Sequence, residues 1–476
     1  MRKRNQALIV KTERLCHSAP KEQLVLSRRD FMGAAAVAAF TIVPRHVLGG
    51  SGYVPPSEKL NIAGIGVGGR GANDLEAVSS ENIVALCDVD QNRAAETFKK
   101  FPAARVYRDF REMLSEEKEN IDAVVIGAPD HIHAPAAIKA MKMQKHVYCE
   151  KPMAHTIYEA REMTKVACKM NVVTQMGNQG HAGEGLRLTY EFIHDGAIGT
   201  VREVHVWTDR AGVPGGKAWW PQGIDRPEGS WPVPETLDWD LWLGPAPWRP
   251  YAKFPGKNEE LVAYCPFNWR GWFDFGCGAL GDMAVHNADP AFFCLDLDAP
   301  TAVEAETSPV NNETFPKWAI ITYYFPAKGE RPPVKLVWYD GGKLPPRPPE
   351  LEEERQLGSN GILFIGDEGK LLGPGHAGAP RLIPESKMKE YGKPPQILPR
   401  SIGHHAEWVQ ACKDDKPQDA KAGFWYSGPL TEALLVGNLA VRLGKRIEWD
   451  CEKMRATNAP EADNYITKFY RAGWTL

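Results

Sequence analysis

The chain has 476 residues, 43% of them hydrophobic and 25% charged, an ordinary globular composition with material for a large core and two or three domains. Its formal net charge is −3, so it lacks the basic excess that binds nucleic acid or an anionic membrane surface. Nine cysteines occur without a C-x-x-C pair or a zinc-finger spacing; Cys87, Cys149, Cys168 and Cys294 fall inside apolar runs and are expected as buried thiols, with no disulfide framework.

Residues 1–50 differ in texture from the rest. Ser27-Arg28-Arg29-Asp30-Phe31-Met32 precedes a small apolar run from Gly33 to Phe40. Paired arginines, a nearby aromatic and a weakly hydrophobic core have the pattern of a twin-arginine (Tat) export signal. The run is too short and too rich in Ala and Gly to span a bilayer as a permanent helix. The expectation is export of the folded chain by the Tat machinery, to a periplasmic or membrane-anchored location facing the periplasm. No A-x-A cleavage site follows, which keeps an uncleaved anchor open. The competing reading is a basic tail followed by a chance Ala-rich helix.

From Leu60 the pattern is βαβ. Leu60–Ile65 is an apolar strand running into a glycine cluster, and Asn82–Cys87 is a second strand that ends at Asp88. Ala123–Ile126 and His146–Cys149 are further strands, separated by a helix near Pro135–Met143. Continuous apolar strands alternating with helices predict a doubly wound parallel sheet, an α/β Rossmann domain over residues 57–178. Beyond about Gly180 the pattern changes. A helix near Leu186–His194 leads to a strand at Val201–Thr208, then an irregular stretch from Ala211 to Phe267 rich in Trp, Pro and Gly. Strands are predicted at Ala302–Thr307, Trp318–Phe325, Lys335–Tyr339 and Ile362–Ile365, a surface loop at Leu344–Leu351, and helices at His405–Cys412 and Leu430–Leu443. Residues 179–476 therefore read as an α+β substrate-binding and oligomerisation domain with a large open, mostly antiparallel sheet. An exposed face of that sheet is expected to pair with a second subunit.

Gly66-Val67-Gly68-Gly69-Arg70-Gly71 is G-x-G-x-x-G between a strand and a helix. The first glycine allows the tight turn, the second lets a pyrophosphate reach the backbone, and the third permits close helix–strand packing. Gly64 opens an alternative frame but falls within the strand. Asp88, about twenty residues on, is placed to accept from ribose hydroxyls, which favours NAD. Arg70 and Arg93 keep NADP open as the alternative.

Further on stand Ala128-Pro129-Asp130-His131-Ile132-His133, Cys149-Glu150-Lys151-Pro152 and Gly281-Asp282-Met283-Ala284-Val285-His286. Together with the glycine fingerprint these segments resemble the Gfo/Idh/MocA oxidoreductases, from about Leu60 to Leu443. The resemblance implies a Rossmann domain followed by an α+β domain with a large open sheet, and NAD(P)-dependent chemistry on sugars, inositols and related polyols. It also implies that Lys151, Asp282 and His286 match the family's catalytic Lys, Asp and His. Chemically, a neutral His286 suits a general base, and Lys151 suits a charge for the developing alkoxide. Asp282, four positions before His286, shares its face if the stretch is helical and would then support the imidazole.

Pro129, Asp130, His133, Glu150, Lys151 and Asn178 join Gly66, Gly68, Gly69, Arg70, Gly71 and Asp88 as candidate cofactor residues, with His133 flanking the nicotinamide. Lys151, Gln179, His181, Arg187, Trp269, Asp282 and His286 are candidate substrate residues. The segment Gly177-Asn178-Gln179-Gly180-His181 departs from the commoner family pattern, which leaves the substrate unassigned. Trp207, Trp219, Trp220, Trp231, Trp239, Trp242, Trp248, Trp269 and Trp272 fit a carbohydrate cleft and a local aromatic core equally well. No metal is expected, because His131, His133 and the pair His404 and His405 lack carboxylate or thiolate companions at fitting spacing.

The reading is an NAD(P)-dependent sugar dehydrogenase with tightly bound cofactor, acting on a ring hydroxyl. One alternative is an NAD-dependent glycosidase or lyase using transient oxidation, a self-restoring cycle that suits export because free nicotinamide cofactor is scarce outside the cytoplasm; a paired-substrate oxidoreductase meets the same constraint. A non-catalytic sugar-binding protein is the third.

Overall fold

The computed structural model describes residues 58–211, 219–254 and 261–476. The twin-arginine segment lies outside the described residues. Within them, no helix is long and apolar enough to cross a membrane.

Six parallel strands form the first sheet: β1 (Asn61–Ile65), β2 (Asn82–Cys87), β3 (Arg105–Tyr107), β4 (Ala123–Ile126), β5 (His146–Cys149) and β6 (Thr174–Met176), in the order β3-β2-β1-β4-β5-β6. Alternate residues along these strands feed two different cores. Ile62, Leu86, Val125 and Tyr148 enter one, and Ala63, Cys87, Val124, Ile126 and Val147 the other. That two-sided burial is why the strands read as unbroken apolar runs. The strands are joined through α1 (Arg70–Ala77), α2 (Gln91–Lys100), α3 (Phe110–Glu116), α4 (Asp130–Lys142) and α5 (Ile157–Met170). The order reverses beside β1, leaving a crevice at the carboxyl ends of β1 and β4.

After α6 (Glu184–His194), β7 (Val201–Trp207) enters a nine-stranded sheet. Its other members are β10 (Ala302–Thr307), β11 (Ala319–Phe325), β12 (Val334–Tyr339), β13 (Gly361–Gly366), β14 (Lys370–Pro374), β15 (Arg381–Ile383), β16 (Ile447–Asp450) and β17 (Arg455–Ala456); a separate hairpin pairs β8 (Lys253–Phe254) with β9 (Leu261–Val262). The nine-strand order is β15-β14-β13-β7-β12-β11-β10-β16-β17, antiparallel except where β12 runs parallel to β7. Along β11 buried and half-buried residues alternate. Its inner face packs on the helix Phe424–Leu443, where Tyr323 Oη donates to the Leu434 carbonyl at 2.7 Å.

The C-terminal region also returns to the first sheet. Trp408, on the helix His404–Asp414, is fully buried against Ile62, Leu86 and Tyr148. Leu351, predicted in a surface loop, is buried on the outer face of the large sheet beside Val337 and Leu363. Proline-rich composition hid this, because a loop without periodicity still buries a side chain over an apolar sheet face. Among the cysteines, Cys87, Cys149 and Cys294 are buried thiols as expected, but Cys168 is disulfide-bonded.

Candidate active site

The glycine turn is shaped by contact. Gly66 has φ +71°, and a Cβ there would lie 2.6 Å from the Ala128 nitrogen. A Cβ on Gly71 would lie 2.0 Å from the Gly66 carbonyl oxygen, so α1 can approach β1 only with glycine at that position. Gly69 caps α1 with φ +69°. At Gly68 the nearest atom is the flexible Arg93 side chain, so the backbone on that side is screened only by an arginine.

Beside this turn opens a cavity of about 330 Å³ lined by Gly66, Gly68, Arg70, Asp88, Pro129 and Trp269, among others. Asp88 accepts from the Gly68 and Asp90 amides at 3.0 and 2.9 Å. Burial raises its carboxyl to about 6, against those two hydrogen bonds. A glycine-lined crevice, a helix N-terminus and a carboxylate at the end of β2 suit a dinucleotide.

The far wall comes from the tryptophan-rich segment. It is tied to the first domain where the Gln91 amide donates to the Thr236 carbonyl at 3.0 Å and the Asp238 amide to the Val89 carbonyl at 2.9 Å. Trp239 stacks on Trp242 at 4.8 Å, and with Tyr264, Trp272 and Phe275 they make a small separate core. Trp207, Trp220, Trp239, Trp242 and Trp272 are buried, whereas Trp219 and Trp248 are exposed. Most of the tryptophans are thus core; Trp242 and Trp269 also line the cavity. Trp474 near the C-terminus closes one end, held between Phe110 and the Arg111 guanidinium.

At the carboxyl end of β5, Lys151 Nζ donates to Asp282 Oδ1 at 2.8 Å and to the Asp282 carbonyl at 2.6 Å. Asp282 sits on a π-helical turn, Leu280–Ala284, an irregularity common at functional sites. Burial pushes its carboxyl upward, but the charges and hydrogen bonds of Lys151 and Arg270 prevail and hold it well below the usual range. Glu150 accepts from Arg70 Nε at 3.1 Å and from Gln179 Nε2 at 2.8 Å, while Arg70 also pairs with Asp74 at 2.9 Å.

His286 differs from expectation in its support. The π turn carries Asp282 toward Lys151 and Arg270, and the imidazole Nδ1 instead meets Asn178 Oδ1 at 2.8 Å. Asn178 therefore fixes the tautomer with the proton on Nδ1, leaving Nε2 as the basic nitrogen. Burial, then the nearby Lys151 charge, lowers the imidazole well below its ordinary value, so it is neutral near pH 7. Asn178 Nδ2 is buried and has no hydrogen-bond partner among the described residues.

Several predicted residues serve the scaffold. His133 is buried with its ring nitrogens 2.8 and 2.7 Å from the carbonyl oxygens of Pro152 and Ala128, and does not line the cavity. Asp130 accepts from the Cys277 amide at 3.1 Å, joining the two domains. His181 Nδ1 meets the Asp289 carboxylate at 3.0 Å, and Tyr426 Oη donates to that carboxylate at 2.5 Å. Arg187 donates to the His181 and Gly183 carbonyls. Gln179 bridges Tyr148 and Glu150. Polar residues after a strand looked available for substrate, but Gln179 and His181 have partners brought in from elsewhere in the chain, and Arg187 is tied to carbonyls one and two turns back.

Three side chains escaped the sequence. Arg270 lines the cavity and donates to Asp282 Oδ1 at 2.9 Å. Arg210, at the end of β7, lies 3.9 Å from Asp282 Oδ2. His376, from the turn between β14 and β15, sets its ring 4.6 Å from that of His286. His376 and Ala377 both have positive φ, 58° and 52°, an uncommon backbone state for residues with side chains. The Asn287 side chain holds the turn by accepting from the His376 amide at 2.9 Å. A glycine on either side of the pair, at Gly375 and Gly378, was the only local signal.

Two family models match the chain. One, described as an oxidoreductase family with NAD-binding Rossmann fold, covers residues 60–178; the other, its C-terminal alpha/beta domain, covers 192–330. Together they span more than half the chain. Myo-inositol 2-dehydrogenase of Thermotoga maritima is 26% identical over 142 residues, 30% of this chain and 42% of that protein. A glycosyl hydrolase family 109 protein of Shewanella baltica is 31% identical over 215 residues, 36% of this chain and 46% of that protein. The chain thus spans less than half the length of these curated relatives. Among solved structures, the WlbA dehydrogenase of Bordetella pertussis in complex with NADH and UDP-GlcNAcA shares the fold with a TM-score of 0.55 at 18% identity, over 82% of this chain and 99% of that one. An inositol dehydrogenase homolog of Azotobacter vinelandii, complexed with NADH and myo-inositol, gives 0.52 at 15% identity, over 82% and 98%.

Proposed function

The chain belongs to the Gfo/Idh/MocA oxidoreductase family, and from that premise we propose that it oxidises a ring hydroxyl of a sugar, glycoside or polyol by hydride transfer to a nicotinamide cofactor. The observation that carries this reading is the set that adjoins the cavity through Arg270: Lys151 locked onto Asp282, with a neutral His286 held by Asn178 in the field of both.

NAD, when bound, supplies the hydride acceptor. The glycine turn and the N-terminus of α1 would hold its phosphates, and Asp88 its ribose hydroxyls. Asn178 Nδ2 offers a buried donor for an amide or hydroxyl oxygen. His286 Nε2 takes the proton of the reacting hydroxyl, while the Lys151 charge stabilises the oxygen as it becomes an alkoxide. Asp282 keeps Lys151 in place, and burial away from water strengthens each of these interactions. The strap from Thr236 to Trp242 and the Trp474 cap support a cofactor that stays bound between turnovers. Such retention suits the export expected from the twin-arginine segment, since free nicotinamide is scarce outside the cytoplasm.

A second reading is a glycosidase using transient oxidation and a retained cofactor, favoured by the glycosyl hydrolase family 109 relative. The test is one experiment on the purified protein. Released cofactor is quantified, then candidate sugars and glycosides are added while the reduced-nicotinamide absorbance band and free sugar are followed. Persistent reduction supports the dehydrogenase; sugar release without net reduction supports the glycosidase; neither response to a broad panel refutes both.

A further inference from the structure

Three cationic side chains converge on Asp282. Lys151 Nζ lies 2.8 Å and Arg270 Nε 2.9 Å from its Oδ1, and Arg210 Nε 3.9 Å from its Oδ2. The four side chains are 11 to 21% exposed, so water screens them only in part. The other carboxyl near this group is Asp130, whose Oδ2 is turned to the Cys277 amide and whose Oδ1 has no hydrogen-bond partner among the described residues. Arg70 pairs with both Glu150 and Asp74, and the Glu150 charge also acts on Lys151. The Lys151 charge lowers both His286 and His376 after burial, and the Asp282 charge opposes it.

The three cations are not equivalent. Lys151 makes two hydrogen bonds to Asp282, and Arg270 donates to Asp282 and the Phe267 carbonyl while lying over Phe267 and Trp269. Arg210 makes no side-chain hydrogen bond among the described residues. Its guanidinium lies 3.4 Å above the ring of Trp219, which is 43% exposed. Stacking fixes the plane of a guanidinium and leaves its edge, with parallel N–H groups, free to take two oxygens at once. His376 is within electrostatic reach of Arg210, on the same side of the site.

The geometry points to an anionic sugar as the substrate class, one whose carboxylate, or an equivalent sulfate or phosphate ester, is gripped by the edge of Arg210. An anion pairs with the open edge of Arg210, which a neutral sugar leaves without a charged partner. The assignment of the anion's carrier as the reacting sugar rests on the redox reading of Lys151 and His286; the preference for an anion does not.

The test uses the purified protein with its cofactor and matched glycoside pairs in gluco, galacto and manno configurations, each a methyl glycoside and its uronic acid. Binding is measured by calorimetry, cofactor reduction by absorbance, with the 6-sulfate and 6-phosphate esters as further arms. In at least one pair the acid should bind on the order of 10- to 100-fold more tightly than the neutral sugar, the worth of a charged hydrogen bond. Salt should weaken it, R210Q should bring the ratio near one, and R210K, which keeps charge but not the fork, should fall between. Equal binding of acid and neutral members in every pair, or a preference untouched by R210Q, overturns the proposal. Tight, Arg210-dependent binding without cofactor reduction upholds the anion site while removing the redox reading. Reduction by neutral sugars with no preference for acids does the reverse. A preference for the sulfate or phosphate ester over the uronic acid identifies the anion's source.

Discussion

Replacing Lys151 by methionine keeps the length of the side chain and removes its charge. Lys151 Nζ is fixed by two oxygens of one residue, the Asp282 carboxylate at 2.8 Å and carbonyl at 2.6 Å, so its position relative to a bound sugar is set by the π turn. Unit charges about 4 Å apart at an effective dielectric of about 20 interact by about 4 kcal/mol. Removing one donor from an oxyanion site typically slows the chemical step by about 10²- to 10³-fold, or about 3–4 kcal/mol. Both routes give the same size, so K151M is expected to slow cofactor reduction by about 10²- to 10³-fold. Folding should survive, because Asp282 keeps Arg270 at 2.9 Å and no buried charge is stranded. Cofactor content should also survive, since the glycine turn and Asp88 are untouched. The assay is a single-turnover mixing experiment following the reduced-nicotinamide band, with released cofactor quantified on the same sample. A K151M rate within about threefold of the parent at equal cofactor content would refute the assignment, because so small a loss is below that of any oxyanion donor.

N178A removes the acceptor that fixes the His286 tautomer; the half-reaction should slow by roughly 10- to 100-fold, with a displaced pH profile, the usual cost of losing such an orienting partner. An unchanged profile and rate would show that His286 needs no support from Asn178. Burial raises the Asp130 carboxyl to about 7, above the value near 3.9 of an unfolded aspartate. The folded chain therefore keeps a proton that the unfolded chain has lost between about pH 4 and 7, and this group makes stability fall as pH rises through that window. Urea unfolding at pH 5 and pH 8 should show a drop that D130N reduces by on the order of a few kcal/mol; parallel curves for the two proteins would exclude Asp130. W474A opens the end of the cavity, and the bound cofactor should exchange about tenfold faster in a chase with labelled NAD, equivalent to about 1.4 kcal/mol. An unaltered exchange rate would place the retaining barrier elsewhere, in the Thr236–Trp242 strap.

The dinucleotide fold was legible because its signals are local. Strands buried on both faces must be apolar throughout, a glycine turn must carry glycine where a Cβ would strike Ala128 or the Gly66 carbonyl, and Asp88 must follow β2. Lys151, Asp282 and His286 were legible by resemblance, each within a compact motif. Their relations were not: four-residue spacing predicted that Asp282 supports His286, and the π turn gave the carboxylate to Lys151 and Arg270 instead. Strand β14 and the edge strand β15 lacked enough alternation in sequence to be seen, and with them went His376.

Sequence alone determined that a parallel sheet would end in a phosphate-sized turn beside Asp88, since backbone sterics and strand burial act over a few neighbouring residues. Tertiary structure decided what meets Asp282 and His286. Arg210, Arg270, Asn178 and His376 come from four separate segments, and only the packing of the two sheets brings their charges and hydrogen bonds to one place.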